Sequence, residues 1–203
     1  YSDSDHKLPF LEDSHIKLAQ KINEQTAKAL NQKFGEGYKG ILYGGFIATN
    51  AGVQLIEYNA RFGDPEAINI LSILETDLID ICESIIAGNI NKLDIVFKNL
   101  ATVCKYAVPN GYPDDPLKGE EIDVSNVKNK DFMFYASVEK KENKLIQLGS
   151  RVIAIVGHGD SIWEAEQIAE KNISKVKGPL FHRKDIGTTD LIQKKLNHML
   201  SIK

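Results

Sequence analysis

Apolar stripes of helical period and short runs of strand period come mixed along this chain, without a regular strand–helix–strand rhythm. That mixture predicts an α+β fold built from antiparallel hairpins and flanking helices, not a doubly wound parallel sheet. Asp13 and Ser14 offer caps ahead of Ile16, Ala19, Ile22, Thr26, Ala29, Leu30 and Phe34. Steps of three and four among those positions describe an amphipathic helix ending near Gly35. Segments 41–48 and 53–60 read as strands joined by the turn Thr49-Asn50-Ala51-Gly52. Asp64-Pro65-Glu66 then opens a second helix, with Asp as cap, Pro in the first helical position and Glu at the positive end of the dipole. Its stripe of Ile68, Leu71, Leu74, Leu78, Ile81, Cys82 and Ile85 stops at Gly88, and Cys82 reads as a small core residue.

The character of the chain changes near Asn99, which predicts two domains, 1–98 and 99–203. Segment 102–108 is a strand, and the run from Pro109 to Pro116 is too rich in turn residues to be anything but a loop. Segments 132–138, 144–148 and 151–156 read as short antiparallel strands. Ser161-Ile162-Trp163-Glu164 is a capping box for a helix running to about Lys177, before Gly178-Pro179. A last helix spans about 190–200. Gly157-His158-Gly159-Asp160 lacks a full Gly-rich fingerprint and reads as a strand-to-helix turn. Trp163 and Phe181 read as core or interdomain packing, and the five histidines show no metal-ligand spacing.

Composition narrows the function class. Of 203 residues, 42% are apolar and 26% charged, an ordinary globular balance, and the formal charge of −3 recommends neither nucleic acid nor a membrane surface as partner. Two cysteines are too few for a disulfide framework and fit a reducing cytoplasm. No apolar stretch is long enough to span a bilayer, and no signal peptide opens the chain. The chain starts at Tyr1, not Met, which suggests a piece of something longer. Only three of its 25 basic residues are arginine: Arg61, Arg151 and Arg183. Lysine cannot copy a planar bidentate guanidinium, so each arginine merits inspection.

One of the three lies in the densest site signal, Glu57-Tyr58-Asn59-Ala60-Arg61-Phe62-Gly63-Asp64-Pro65-Glu66. Side chains alternate along a strand, so Glu57, Asn59 and Arg61 project from one face. Carboxylate and amide oxygens are the hard ligands Mg²⁺ takes alongside phosphate oxygens and water. A guanidinium one step further can hold a phosphate as a fork, and Gly63 lets the backbone turn towards the helix start. From spacing alone the run reads either as a site for metal-bound phosphates or as a solvated strand face with a capped helix behind it.

Letter by letter, Leu55 to Glu66 resembles the metal-binding strand and loop of the phosphoribosylamine–glycine ligases, or glycinamide ribonucleotide synthetases, of the ATP-grasp superfamily. Tyr38 to Gly45 resembles the strand that precedes it. Gly111-Tyr112-Pro113, Lys118-Gly119, Arg151-Val152-Ile153-Ala154 and Arg183-Lys184-Asp185-Ile186-Gly187 resemble landmarks of the family's C-terminal domain, in the same order. A glutamate and an asparagine two apart is general to ATP-grasp enzymes, and the Arg-Phe-Gly-Asp-Pro-Glu continuation narrows the resemblance to this family.

The resemblance implies the second part of an ATP-grasp domain followed by a small β-rich C-terminal domain. It implies joining of glycine to phosphoribosylamine with ATP, through a glycyl phosphate, in purine biosynthesis. Glu57 and Asn59 would bind Mg²⁺ or Mn²⁺ bridging the ATP phosphates, and Arg61 and Gly63 would help hold the nucleotide. Arg61 would also steady the transferring phosphoryl group, with Asp64 on the loop shaping the substrate side. The family's substrate-binding N-terminal domain and its first, adenine-gripping part of the grasp would precede Tyr1, so the partner implied is that missing half of the polypeptide. The isolated chain is then expected to be inactive. His182 stands where the family has an aromatic residue such as Tyr, and Ser150 where a second Gly is usual. Another carboxylate–amine ligase of purine metabolism, or a non-catalytic ATP-grasp-like module, would share the same letters.

Overall fold

The computed structural model describes residues 1–202, and these divide into two compact units of mixed helix and antiparallel sheet. One unit comprises Phe10–Ala67, Leu74–Lys98 and the chain from Lys195 onward; the other comprises Tyr1–Pro9, Ile68–Ile73 and Asn99–Lys194. No helix among the described residues is long and apolar enough to cross a membrane.

In the first unit, helix α1 (Asp13–Phe34) is capped one residue earlier than the spacing predicts. Glu12 takes the cap, its backbone N–H donating to His15 Nδ1 at 3.0 Å, so Asp13 and Ser14 fall inside the helix. Gly35 ends α1 at φ +75°, the left-handed conformation glycine adopts without penalty. Strands β1 (Tyr43–Thr49) and β2 (Gly52–Asn59) pair antiparallel through the expected turn, with Tyr43 opposite Asn59 and Gly45 opposite Glu57. A bulge between Gly45 and Phe46 interrupts the register. The Tyr58 hydroxyl lies 2.8 Å from Asn23 Oδ1 and 3.1 Å from Thr26 Oγ1, which fastens one face of β2 to α1. Alternation then turns Glu57 and Asn59 to the opposite face.

The predicted helix from Asp64 to Gly88 is two helices, α2 (Glu66–Leu71) and α3 (Leu78–Ala87). Local polar side chains and a distant segment around Val96 outcompete continuous helix. The N–H groups of Glu75 and Thr76 both reach Val96 O, Leu74 bridges to Phe97, and Thr76 Oγ1 accepts from Val96 N–H at 2.8 Å. Asp77 restarts the helix by accepting from Ile79 N–H at 2.7 Å. Pro65 precedes α2 in a turn, joined to Asp64 by a cis peptide bond, and does not occupy a helical position. Of the α3 stripe only Ile81 is buried; Cys82 is exposed, not a core residue.

The second unit is built on a four-stranded antiparallel sheet. Its central pair is β3 (Ala101–Pro109) and, after β4 (Glu121–Ile122), β5 (Met133–Tyr135), β6 (Val138–Lys141) and β7 (Lys144–Gln147), the strand β8 (Ile153–Gly159). Helix α4 (Ile162–Ile173), strand β9 (Leu180–His182) and helix α5 (Thr189–Ser201) follow. Sheet order is β5-β8-β3-β9, and β4-β7-β6 form a separate three-stranded sheet. The run 132–138, predicted as one strand, is therefore split between two sheets. Strands β4 and β9 are too short to show a period in the sequence.

Ser161 caps α4 as predicted, accepting from Glu164 N–H at 3.3 Å. The helix stops at Ile173, short of Lys177, because Lys177 pairs with Asp123 through two backbone hydrogen bonds of 2.8 and 2.9 Å. Gly157 and Gly159 lie inside β8, not in a turn. A Cβ on Gly157 would collide with the Ala165 carbonyl oxygen and sit 2.7 Å from Ala169 N, so glycine is what lets α4 lie directly on the sheet. Ala101, Val103, Ile162, Ala165 and Ala169 fill that contact, while Cys104, Ala154 and Val156 pack on the other face with Ile68, Tyr106, Phe132 and Phe134. Trp163 and Phe181, read as core or interdomain packing, are exposed, so neither fills a core.

Candidate functional site

Glu57 and Asn59 emerge side by side from the face of β2 that points away from α1. Asn59 Nδ2 donates to Glu57 Oε1 at 3.1 Å. With Tyr43, Gly45, Phe46, Ile56, Arg61, Gly63, Asp64 and Glu66 they line a cleft of about 350 Å³. All five residues singled out from the sequence, Glu57, Asn59, Arg61, Gly63 and Asp64, thus face one cleft.

Arg61 is exposed and donates from Nη1 to the carbonyl of Phe62 at 2.7 Å, which folds the guanidinium back along its own loop. Gly63 is buried beneath it, and the Gly63 carbonyl receives the Ala67 N–H at 2.9 Å, closing the first turn of α2. Two residues outside the predicted set complete the floor. The Tyr43 hydroxyl donates to Glu66 Oε1 at 3.0 Å. Burial, then the neighbouring carboxylates of Glu66 and Glu57, push the Tyr43 phenol up to about 12, so it remains a donor at neutral pH. Tyr43 belongs to β1, and only the register that sets it opposite Asn59 reveals its place here.

The donor set suits a hard divalent cation. Glu57 and Asn59 could offer it a carboxylate and an amide oxygen, the hard donors that Mg²⁺ and Mn²⁺ take. Among the described residues no group of three or more His, Cys, Asp or Glu side chains gathers to hold a metal alone.

In the second unit, sequence reasoning missed a buried ionic cluster. Lys105, on β3, is 1% exposed. Its ammonium donates to Glu166 Oε1 at 2.7 Å, to Glu170 Oε2 at 2.7 Å and to the Lys184 carbonyl at 2.9 Å. His182 Nε2 lies 3.0 Å from Glu170 Oε1. Burial pushes the Glu170 carboxyl up, but hydrogen bonds from Lys105, His182 and Ser174 outweigh it and hold it down at about 2. The available signal was a lysine in the middle of an apolar strand together with two glutamates four apart on the alanine face of a helix. Arg183 is engaged nearby, as a bidentate fork on Asp185 with contacts of 3.0 and 2.6 Å, and the Arg151 guanidinium lies 5.3 Å from the Tyr106 ring centre.

Comparison with known proteins converges on one family. Residues 3–67 match the family description "Phosphoribosylglycinamide synthetase, ATP-grasp (A) domain", and residues 102–189 match "Phosphoribosylglycinamide synthetase, C domain". The phosphoribosylamine–glycine ligase of Methanocaldococcus jannaschii is 50% identical over 202 residues, spanning 98% of this chain and 45% of the relative. That of Methanosarcina barkeri is 46% identical over 203 residues, spanning 100% of this chain and 47% of the relative. The crystal structure of phosphoribosylamine–glycine ligase from Thermotoga maritima superposes with a TM-score of 0.75 at 28% identity, covering 86% of this chain and 44% of that one. The chain thus spans a little under half the length of the curated relatives it matches. With both domain descriptions, close relatives and a shared fold in agreement, the chain belongs to the phosphoribosylglycinamide synthetase family.

Proposed function

We propose that this chain is the part of an ATP-dependent phosphoribosylamine–glycine ligase that supplies the metal-and-phosphate face of its active site. The observation that carries this reading is the convergence of Glu57, Asn59, Arg61, Gly63 and Asp64 on one cleft within the run most specific to the family. Residues 1–98 contribute the later part of an ATP-grasp domain, and 99–203 the C-terminal domain. The remaining half of the ligase grips the adenine and the ribose phosphate.

In the reaction, a glycine carboxylate oxygen attacks the γ-phosphorus of ATP and ADP leaves. The amine of phosphoribosylamine then attacks the glycyl phosphate carbon, forming the amide bond and releasing phosphate. Phosphoryl transfer needs positioning and charge neutralisation more than covalent chemistry from the protein. Glu57 and Asn59 would hold Mg²⁺ or Mn²⁺, which when bound would neutralise phosphate charge. Arg61 swings from the Phe62 carbonyl to the charge on the transferring phosphoryl group, and Asp64 orients the substrate side from the loop. Gly63 keeps that loop tight against the strand beneath.

The test joins this chain to the portion of a curated relative that it does not span and follows glycine-dependent ADP release. Turnover should require phosphoribosylamine and a divalent cation, and Glu57→Gln or Asn59→Ala should each lower kcat about 100-fold or more. Unchanged turnover in those variants sinks the metal assignment; activity with a different amine acceptor and none with phosphoribosylamine sinks the substrate.

A further inference from the structure

The loop that carries Arg61 and Asp64 is clasped from beneath. Tyr43, on β1, donates to Glu66 Oε1 at 3.0 Å, and Gly63 lies between the two side chains. A Cβ placed on Gly63 would sit 2.5 Å from Glu66 Oε2 and 3.2 Å from Tyr43 Cδ1. The tyrosine ring and the glutamate carboxylate thus close around Gly63. Gly63 is also the first anchor of α2, through its carbonyl to the Ala67 N–H at 2.9 Å. Glu57 and Asn59 stand on β2 and contact each other, and neither takes part in the Tyr43–Glu66 hydrogen bond.

We infer that Tyr43 and Glu66 are positioning residues: their hydrogen bond holds the segment Arg61–Asp64 in register with the Glu57–Asn59 pair. This rests on the ligase reading above. The clasp fixes where the guanidinium of Arg61 and the carboxylate of Asp64 sit relative to the side-chain oxygens on β2. Loss of the bond should therefore disturb the reacting end of the site and leave metal–nucleotide binding in place. A displacement of the order of an ångström in a catalytic group is enough to slow chemistry substantially.

The experiment compares Tyr43→Phe, Glu66→Ala, the double variant and Glu66→Gln in the joined enzyme used above. Tyr43→Phe keeps the ring against Gly63 and removes only the donor. It should lower kcat about ten-fold while the KM for ATP stays within about two-fold, the pattern of an interaction that matters only in the transition state. Glu66→Gln, which keeps an acceptor oxygen for the hydroxyl, should stay within about three-fold of the parent, and the double variant should be no worse than the worse single one. A second readout needs no turnover. In the 203-residue chain itself, amide exchange at Ala67 should speed up about five-fold or more in Tyr43→Phe and Glu66→Ala, because that N–H bonds to Gly63.

Unaltered kcat and exchange in Tyr43→Phe, or a double variant whose losses multiply, overturn the inference. If the joined parent enzyme shows no ligase turnover, the functional reading fails and the exchange arm alone decides the clasp.

Discussion

Lys105 shows what a single side chain can require of its surroundings. An ammonium has three N–H donors, and all three are used: on Glu166, on Glu170 and on the Lys184 carbonyl. Lys105→Met would leave Glu166, buried on α4, without its cation. We expect it to destabilise the chain by about 3–5 kcal/mol, read as a lower urea midpoint at unchanged slope. Its partners lie 61 and 65 residues away in sequence, so the local letters mark Lys105 and the two glutamates as unusual without showing that they meet. The site residues differ in this respect. Glu57 and Asn59 are two apart on one strand, and the two-residue period of a strand puts them on one face wherever that strand packs. Tyr43 and Glu66 belong to the same cleft yet are 23 residues apart, and their pairing emerges only when β1, paired to β2, meets the start of α2.

Elements form where local and tertiary preferences agree and shift where they compete. The hairpin at Thr49–Gly52 and the cap at Ser161 appear where the letters put them, because turn chemistry and capping act over a few residues. The helix expected from Asp64 to Gly88 breaks because Glu75 and Thr76 give their N–H groups to Val96, a partner invisible to a periodicity argument. Asp77→Ala should then cost about 1 kcal/mol by uncapping α3, measured by thermal unfolding; a single long helix would have left that exposed side chain nearly neutral. The contact between β8 and α4 is stricter. Gly157→Ala would press a methyl group onto the Ala165 carbonyl and Ala169 N, so a loss of about 3 kcal/mol or more is expected in the same measurement. A conventional reading of Gly157-His158-Gly159 as a turn would predict little effect.

At the scale of the whole molecule, the ion-paired Glu170 gives stability a pH dependence with a definite sign. Glu170 is held at about 2 in the folded chain against an ordinary 4.5. A folded value below the unfolded one means its contribution is fully present above 4.5 and is lost as pH falls towards about 2. Thermal unfolding should show that decline across this window, and Glu170→Gln should flatten it while lowering stability at neutral pH. The same division runs through the molecule. Sequence by itself determined the α+β class, the hairpin, the Ser161 cap and the acid–amide–guanidinium strand with its family resemblance, because each depends on spacing within about ten residues. Tertiary structure alone decided where the long helix breaks, which strands join which sheet, how Tyr43 meets Glu66 and that Lys105 is buried. Those outcomes depend on unsatisfied backbone groups and charges finding partners tens of residues away, where burial makes a missing partner costly.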